Sequence, residues 1–297
     1  MATDTIDFEL YRYTPSQPAA ALFAAFFAIT TLYHIWQIKQ TRAWFFTPFA
    51  LGGIFQIIGY STRIAAHNNT ENVPIYAIHT LLILLAPPLY AASMYMALGR
   101  LITFLHAETL SLVPVRYLTA VFVTGDVVAF LMQAAESSFS LGEKITIGGL
   151  GVQLTFFVFF ILASTLFHYR VRRNTSKEGV IFRVRELQTP SIRSSPSEET
   201  QSPKPNGKFN WNESSRCSWE SLLGVLYAAS ILILIRSVFR LVEYVQGNRG
   251  YLIRHEVFMY VFDSSLMLGC MFVMNGWHPG YVLGGGIGAC EERPRRG

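Results

Sequence analysis

Within the apolar stretch Leu222 to Val245, Arg236, Arg240 and Glu243 stand at i, i+4 and i+7, which puts three charged groups on one face of a helix. Guanidinium and carboxylate groups on a shared face can pair with one another or hold the charged head of an amphiphile. The same spacing returns in other apolar stretches. Gln56, Gly59, Tyr60 and Arg63 run i, i+3, i+4, i+7; Asp126 and Gln133 are i, i+7; Glu256, Tyr260 and Asp263 are i, i+4, i+7; and Gln153 supplies a fifth stretch. A charge at the centre of a bilayer costs roughly 2.5–3.5 kcal/mol on insertion scales, so such groups persist where they face partners or a wet cavity. One polar interior shared by five helices is the economical expectation.

The elements that position these groups follow from composition and length. The 297 residues are 51% apolar and 14% aromatic with only 14% charged, too apolar for an ordinary soluble domain. Crossing about 30 Å of hydrocarbon takes roughly 20 helical residues. Windows at 18–38, 44–65, 74–98, 117–135, 145–168, 219–243 and 256–277 meet that length. The expected fold is all-α: a polytopic membrane protein of seven transmembrane helices.

Orientation is read from Lys and Arg. With the N-terminus outside and the C-terminus cytoplasmic, Lys39, Arg42, Arg100, Arg116, the basic residues from Arg170 to Arg216, and Arg293, Arg295 and Arg296 all fall inside. Only Arg12, Arg63, Lys144, Arg249 and Arg254 fall outside, as the positive-inside rule favours. Residues 1–17 then form an outer tail, 18–277 the membrane domain, 169–218 a basic cytoplasmic loop that interrupts it, and 278–297 a cytoplasmic tail. The loop accounts for the net charge of +5 without nucleic acid, no motif for which accompanies it. It would lie beside an anionic leaflet and offers a surface to a cytosolic regulatory partner. Its stretch TPSIRSSPSEETQSPKPNG lacks apolar periodicity and reads as disordered, with Ser195 before Pro196 a candidate phosphate acceptor.

The acidic N-terminal tail has no basic n-region, so no signal peptide is expected and the first helix serves as its own insertion signal. Cys217, Cys270 and Cys290 fall in the inner loop, the last helix and the tail, which gives no outer disulfide. Of the Asn-X-Ser/Thr sequons, Asn68 alone lies in an outer loop and is the expected glycosylation site. Pro87 and Pro88, in the middle of the third stretch, predict a kink or break, either a static bend or a moving hinge.

Counted along the helices, Asp126 lies near the midplane, whereas Gln56, Arg63, Gln133, Gln153, Arg240, Glu243 and Asp263 lie in the outer half. Two readings stand side by side: a polar cavity open toward the outer leaflet, or buried ion pairs, such as Asp126 or Asp263 with Arg236 or Arg240, that fix helix packing. Several chemistries are set aside. The histidines show no HxxxH or HExxH grouping, and GxSxG, P-loop and paired CxxC motifs are missing. No lysine lies deep in a span to carry a retinal Schiff base. No cofactor, metal or enzymatic activity is expected.

An ordered set of motifs runs through these stretches. It comprises Ala86-Pro87 with Ala91, Ala92, Tyr95, Gly99 and Arg100; Asp126 through Gln133; Gly149-Leu150 with Gln153; Arg236-Ser237, Phe239-Arg240 and Glu243-Tyr244; Glu256, Tyr260 and Asp263; and His278-Pro279-Gly280. Over nearly the whole membrane region it resembles the fungal RTA-like, or lipid-translocating exporter, family, named for resistance to aminocholesterol. The resemblance implies movement or release of sphingoid long-chain bases, resistance to toxic amphiphiles and, in one branch, porphyrin or haem. It favours the plasma membrane, with vacuole or endoplasmic reticulum as alternatives. The chain departs from the family in carrying Gln56 where Glu is usual, in Ala135-Glu136-Ser137-Ser138 where a Gly-rich stretch is expected, and in a longer inner loop.

The reading that results is translocation of amphipathic cationic lipids. Glu243, Glu256 and Asp263 would hold an ammonium head, with Arg236, Arg240 and Asp126 setting its charge balance and Tyr60, Tyr244 and Tyr260 adding cation–π contacts. Membrane lipids and an amphipathic small molecule are the expected partners. A seven-helix receptor or sensor that alters lipid handling indirectly is the rival, although the third stretch ends in LGR rather than a DRY-like triplet and the seventh lacks NPxxY.

Overall fold

A computed structural model describes residues 16–67, 73–134, 142–177, 219–247 and 250–283, and every regular element among them is helical. In chain order these are α1 (Gln17–Thr41), α2 (Thr47–Ala66), α3 (Val73–Phe104), α4 (Val115–Ala134), α5 (Gly142–Lys177), α6 (Trp219–Val245) and α7, residues 256–276. Short helices at Tyr251–Arg254 and Gly280–Leu283 flank α7. Asn68, the Ser/Pro-rich stretch, Cys217, Cys290 and the motif Ala135-Glu136-Ser137-Ser138 lie outside the described residues.

Among the described residues, six helices are long and apolar enough to cross a membrane by length and composition: Gln17–Thr41, Ala77–Phe104, Val115–Ala134, Lys144–Asn174, Trp219–Val245 and Glu256–Leu283. The 20-residue α2 is outside this set because Gln56 and Arg63 interrupt its apolar run.

Local chemistry sets the helix ends. Ser16 caps α1 by accepting from the Ala19 amide at 3.4 Å, with Pro18 in the first turn where its missing N–H costs nothing. Arg42 ends α1 in the left-handed region, at φ 53°, and turns the chain into the short helix Trp44–Phe46 and α2. Helix α5 runs past its expected end at 168 to Lys177, so Arg170, Arg172 and Arg173 are helical.

The helices pack in a closed order. Helix α2 lies against α1 and α3, α4 against α3 and α5, α6 against α5 and α7, and α7 returns to α1. Aromatic side chains fill the middle, with Phe27, Phe46, Phe49, Tyr90, Tyr95 and Phe122 fully buried. Large apolar side chains such as Leu32, Val128, Leu131 and Val257 point outward, as a hydrocarbon solvent requires. The start of α1, the end of α2 and the start of α7 share one end, where the Ser16 amide donates to both Glu256 oxygens at 3.0 and 3.1 Å. At the other end Arg100 lies 4.2 Å over the Phe45 ring, and Arg170 donates to the Leu110 carbonyl at 3.2 Å.

Two helices depart from expectation. Of the kink or break expected at Pro87 and Pro88, the break does not occur, because Val73–Phe104 is one helix through both prolines. Proline 87 removes the amide that would bond the Ile83 carbonyl, and Arg236 of α6 supplies a donor there instead at 3.4 Å. Helix α7, read as regular, contains a π turn at Tyr260–Ser264. Ser265 donates to the Tyr260 carbonyl at 2.8 Å and Ser264 to the Met259 carbonyl at 3.4 Å, so hydroxyls reach carbonyls that the wider turn exposes.

Candidate functional site

Arg236 and Asp263 form the deepest ion pair, their side chains 2% and 1% exposed. Asp263 accepts from two arginines, through Oδ1 from Arg236 Nε and through Oδ2 from Arg240 Nη2 at 2.7 Å. Arg240 turns its other amino group, Nη1, to Glu243 Oε2 at 2.9 Å, an i, i+3 pair on α6. Nearer the end of the bundle, Arg63 of α2 donates to Glu256 of α7 at 2.9 Å.

Histidine 79 of α3 completes this outer pair. Its Nδ1 donates to the Gly59 carbonyl at 2.8 Å and its Nε2 accepts from Arg63 Nη1 at 3.1 Å, since a guanidinium can only donate. Between the two ion-paired groups lies an aromatic layer. Phe23 stacks on Tyr260 at 5.2 Å, Phe27 on Tyr60 at 5.5 Å, and the Tyr60 hydroxyl shares a hydrogen bond with Ser264. Arg63 sits 5.6 Å over the Tyr260 ring. Gln56 is buried on the same face of α2 with its Oε1 unpaired.

Three arginines thus meet three carboxylates. The network is charge-balanced, as burial demands. Asp263 is held most firmly, by two guanidinium groups. Among the described residues Glu243 is held by Arg240 alone, whereas Glu256, though more exposed, takes the Ser16 amide as well as Arg63.

The remaining residues read from the sequence form a separate group on α3, α4 and α5. Tyr95 donates to Asp126 Oδ2 at 3.0 Å, and Gln133 Nε2 donates to Gln153 Oε1 at 3.0 Å. None of these bonds reaches the arginines. Asp126 therefore does not set the charge balance of the α2–α6–α7 network, and the five helices divide their polar groups between two interiors. Pro87 and Pro88 are buried, and Pro87 touches the site through the carbonyl it frees for Arg236.

A third polar group, at the opposite end of the α1–α7 seam, escaped the sequence reading. His34 bonds the Asn275 side chain, Gln37 Nε2 donates to the Asn275 carbonyl at 2.8 Å, and Asn275 Nδ2 donates to the Thr30 carbonyl at 3.4 Å. The rings of His34 and His278 meet edge to face at 4.8 Å. The signal was available in Thr30, His34, Gln37 and Thr41 at i, i+4, i+7 and i+11, a polar stripe of helical period on α1. Asn275→Ala strands a buried imidazole nitrogen, and thermal unfolding in detergent is expected to show a loss of about 1–3 kcal/mol.

Apolar helices of spanning length, wrapped around buried and balanced charge, define an integral membrane protein. The chain belongs to the family described as RTA1 like protein, which it matches over residues 49–286. It is 32% identical to Protoporphyrin uptake protein 1 of Saccharomyces cerevisiae, over 90% of this chain and 91% of that one. It is 28% identical to the Probable lipid transporter atnI of Emericella nidulans, over 96% and 70% of the two chains. To the Sphingoid long-chain base transporter RSB1 of Saccharomyces cerevisiae it is 24% identical, over 85% and 68%. No solved structure matches the chain.

Proposed function

We propose that this chain translocates or exports amphipathic lipids, with sphingoid long-chain bases as the first substrate class, in the plasma membrane. On this reading α2 is the seventh span, the N-terminus is outside, and the end carrying Ser16, Arg63 and Glu256 faces outward. The relatives named for lipid and sphingoid-base transport support the class.

The observation that carries the reading is the loose end of the ion network. Arg240 bridges Glu243 and Asp263 with separate nitrogens, at 2.9 and 2.7 Å. An ammonium head that takes Glu243 therefore leaves Arg240 still paired through Asp263. Exchange at Glu256 would take the acid from Arg63 and from the Ser16 amide together, and exchange at Asp263 would take it from Arg236 and leave Arg240 with Glu243 alone, which is costly in a medium of low dielectric. Glu243 is the acid that can change partners, while the alkyl chain stays against the apolar exterior.

Release of labelled sphingoid bases from cells expressing the chain tests this reading. Native protein is expected to speed release over empty cells, and Glu243→Gln at matched surface abundance to return it at least about tenfold toward the empty-cell rate. Equal release by native and empty cells would retire the sphingoid reading in favour of a sensor or another amphiphile.

A further inference from the structure

The motif His278-Pro279-Gly280 has no part in the ion network, yet it closes the end of the α1–α7 seam opposite Ser16 and Glu256. Its turn folds back on itself, the Gly280 amide donating to His278 Nδ1 at 3.0 Å. A Cβ on Gly280 would overlap the Thr41 hydroxyl of α1 and stand 2.7 Å from that same nitrogen, so the turn docks there as glycine. Because Nδ1 accepts, the neutral His278 ring carries its hydrogen on Nε2. His34 is the reverse. Asn275 Nδ2 is committed to the Thr30 carbonyl, so Asn275 Oδ1 accepts from His34 Nδ1, and the lone pair of His34 lies on Nε2.

The two rings, 0% and 1% exposed, meet edge to face at 4.8 Å, and Phe46 lies 5.3 Å from each. Three buried polar atoms here have no partner: His34 Nε2, His278 Nε2 and Gln37 Oε1. Each destabilises the closed seam and gains a hydrogen bond when water enters. A way in lies beside His278, which lines a cavity of about 10 Å³, the size of one water, with Trp277, Tyr281 and Leu222. At this end the other titratable groups on the packed elements are Tyr90, Cys270 and Tyr281, and Lys39, Arg42, Arg100 and Glu220 are exposed charges. No acid among the described residues is bonded to either ring. An imidazolium in this seat would be a buried charge with no carboxylate to answer it. A proton taken by His278 settles on Nδ1, where it meets the Gly280 N–H and breaks the bond that folds the turn. Proton binding and dry closure therefore exclude one another.

We propose that His278, with His34 beside it, is a proton-binding site that opens this end of the α1–α7 seam. A proton from water binds His278 Nδ1, the Gly280 turn lifts off Thr41, and water and the head of an amphiphile enter between α1 and α7. Linkage sets the sign. The closed seam binds fewer protons than the hydrated one, so acid favours opening and alkali favours closure. What enters rests on the translocation reading, in which this end is cytoplasmic; the proton site does not.

The test uses full-length protein, isotope-labelled in its histidines, in phosphatidylcholine nanodiscs. Ring NMR between about pH 8 and about pH 5 reads protonation, with His278→Gln assigning the His278 signals. Spin labels at the exposed positions Lys39 and Phe272, with the native cysteines changed to serine, read the distance between α1 and α7. At the alkaline end both rings are expected to be neutral and of opposite tautomer, with a single short distance. At the acid end His278 is expected to carry two protons and a second, longer distance to hold at least about half of the molecules. His278→Gln, whose amide oxygen can accept from the Gly280 amide, is expected to lose the acid-induced distance. Gly280→Ala, which wedges the turn from Thr41, is expected to show the longer distance at both ends of the range, and it decides the matter if His278→Gln does not fold. The proposal is overturned by a His278 ring that stays singly protonated or titrates with no change of distance, by acid opening that survives His278→Gln, or by a Gly280→Ala chain that stays closed throughout. Acid opening in a chain that releases sphingoid bases no faster than empty cells supports the proton site and retires the release reading instead.

Discussion

Asp263→Asn is expected to unfold at a markedly lower temperature than the native protein, because it leaves Arg236 and half of Arg240 facing an amide in a buried site. Removing one member of a buried ion pair typically costs about 3–5 kcal/mol, and here a single acid serves two arginines. Arg236→Met placed in the same chain is expected to recover most of the loss. Arg240 then keeps Glu243, Arg63 keeps Glu256, and charge is again balanced. What stays unrecovered is the Ile83 carbonyl beside Pro87, stripped of the cross-helix donor that Arg236 supplied, on the order of 1 kcal/mol. Thermal unfolding in nanodiscs measures both variants. A single mutant as stable as native would mean that water reaches the network and that its burial is not what holds it together.

The second large effect is steric. A Cβ on Gly149 of α5 would stand 2.7 Å from the Ala129 carbonyl and 3.0 Å from the Met132 Cβ of α4, both attached to a helix backbone that cannot turn aside. Gly149→Ala is therefore expected to push α4 from α5 and cost about 1–3 kcal/mol, taking the Gln133–Gln153 hydrogen bond with it. Two residues on, Gly151 has nothing within 4 Å, so Gly151→Ala is expected to raise stability by about 0.5–1 kcal/mol from helix propensity alone. Opposite signs from neighbouring glycines separate contact from propensity. Losses of similar size at both positions would sink the contact argument.

The membrane class, the apolar spans and the one-sided stripe on α6 were legible because each repeats at the period of a helix. Which charges would pair was not. Asp126 and Asp263 look alike in sequence, one acid in an apolar run, yet α4 turns toward Tyr95 and α7 toward two arginines, a difference made by packing between distant segments. The proline pair carried the opposite lesson. Pro87 announces a broken helix, and the remedy lies on Arg236, more than a hundred residues along the chain. His79 was hidden for a plainer reason: a single histidine in an apolar stretch has no spacing to betray its partners, and it is fixed by the Gly59 carbonyl and the Arg63 guanidinium of another helix. The π turn has no composition of its own, because Tyr260–Ser264 would serve equally well as an α turn.

That wider turn changes the angular bookkeeping of α7. At about 100° per residue, an unbroken α-helix from Glu256 to Asn275 finishes roughly 100° out of phase with its start. Absorbing one residue in the turn brings the two ends back to nearly the same azimuth. Glu256 can then meet the first residue of the α1 cap while Asn275 meets His34 and Gln37 near the other end of the same helix. Helix α7 is thus two helical segments keyed to a single neighbour, and the five residues between them act as a vernier that lets both keys engage.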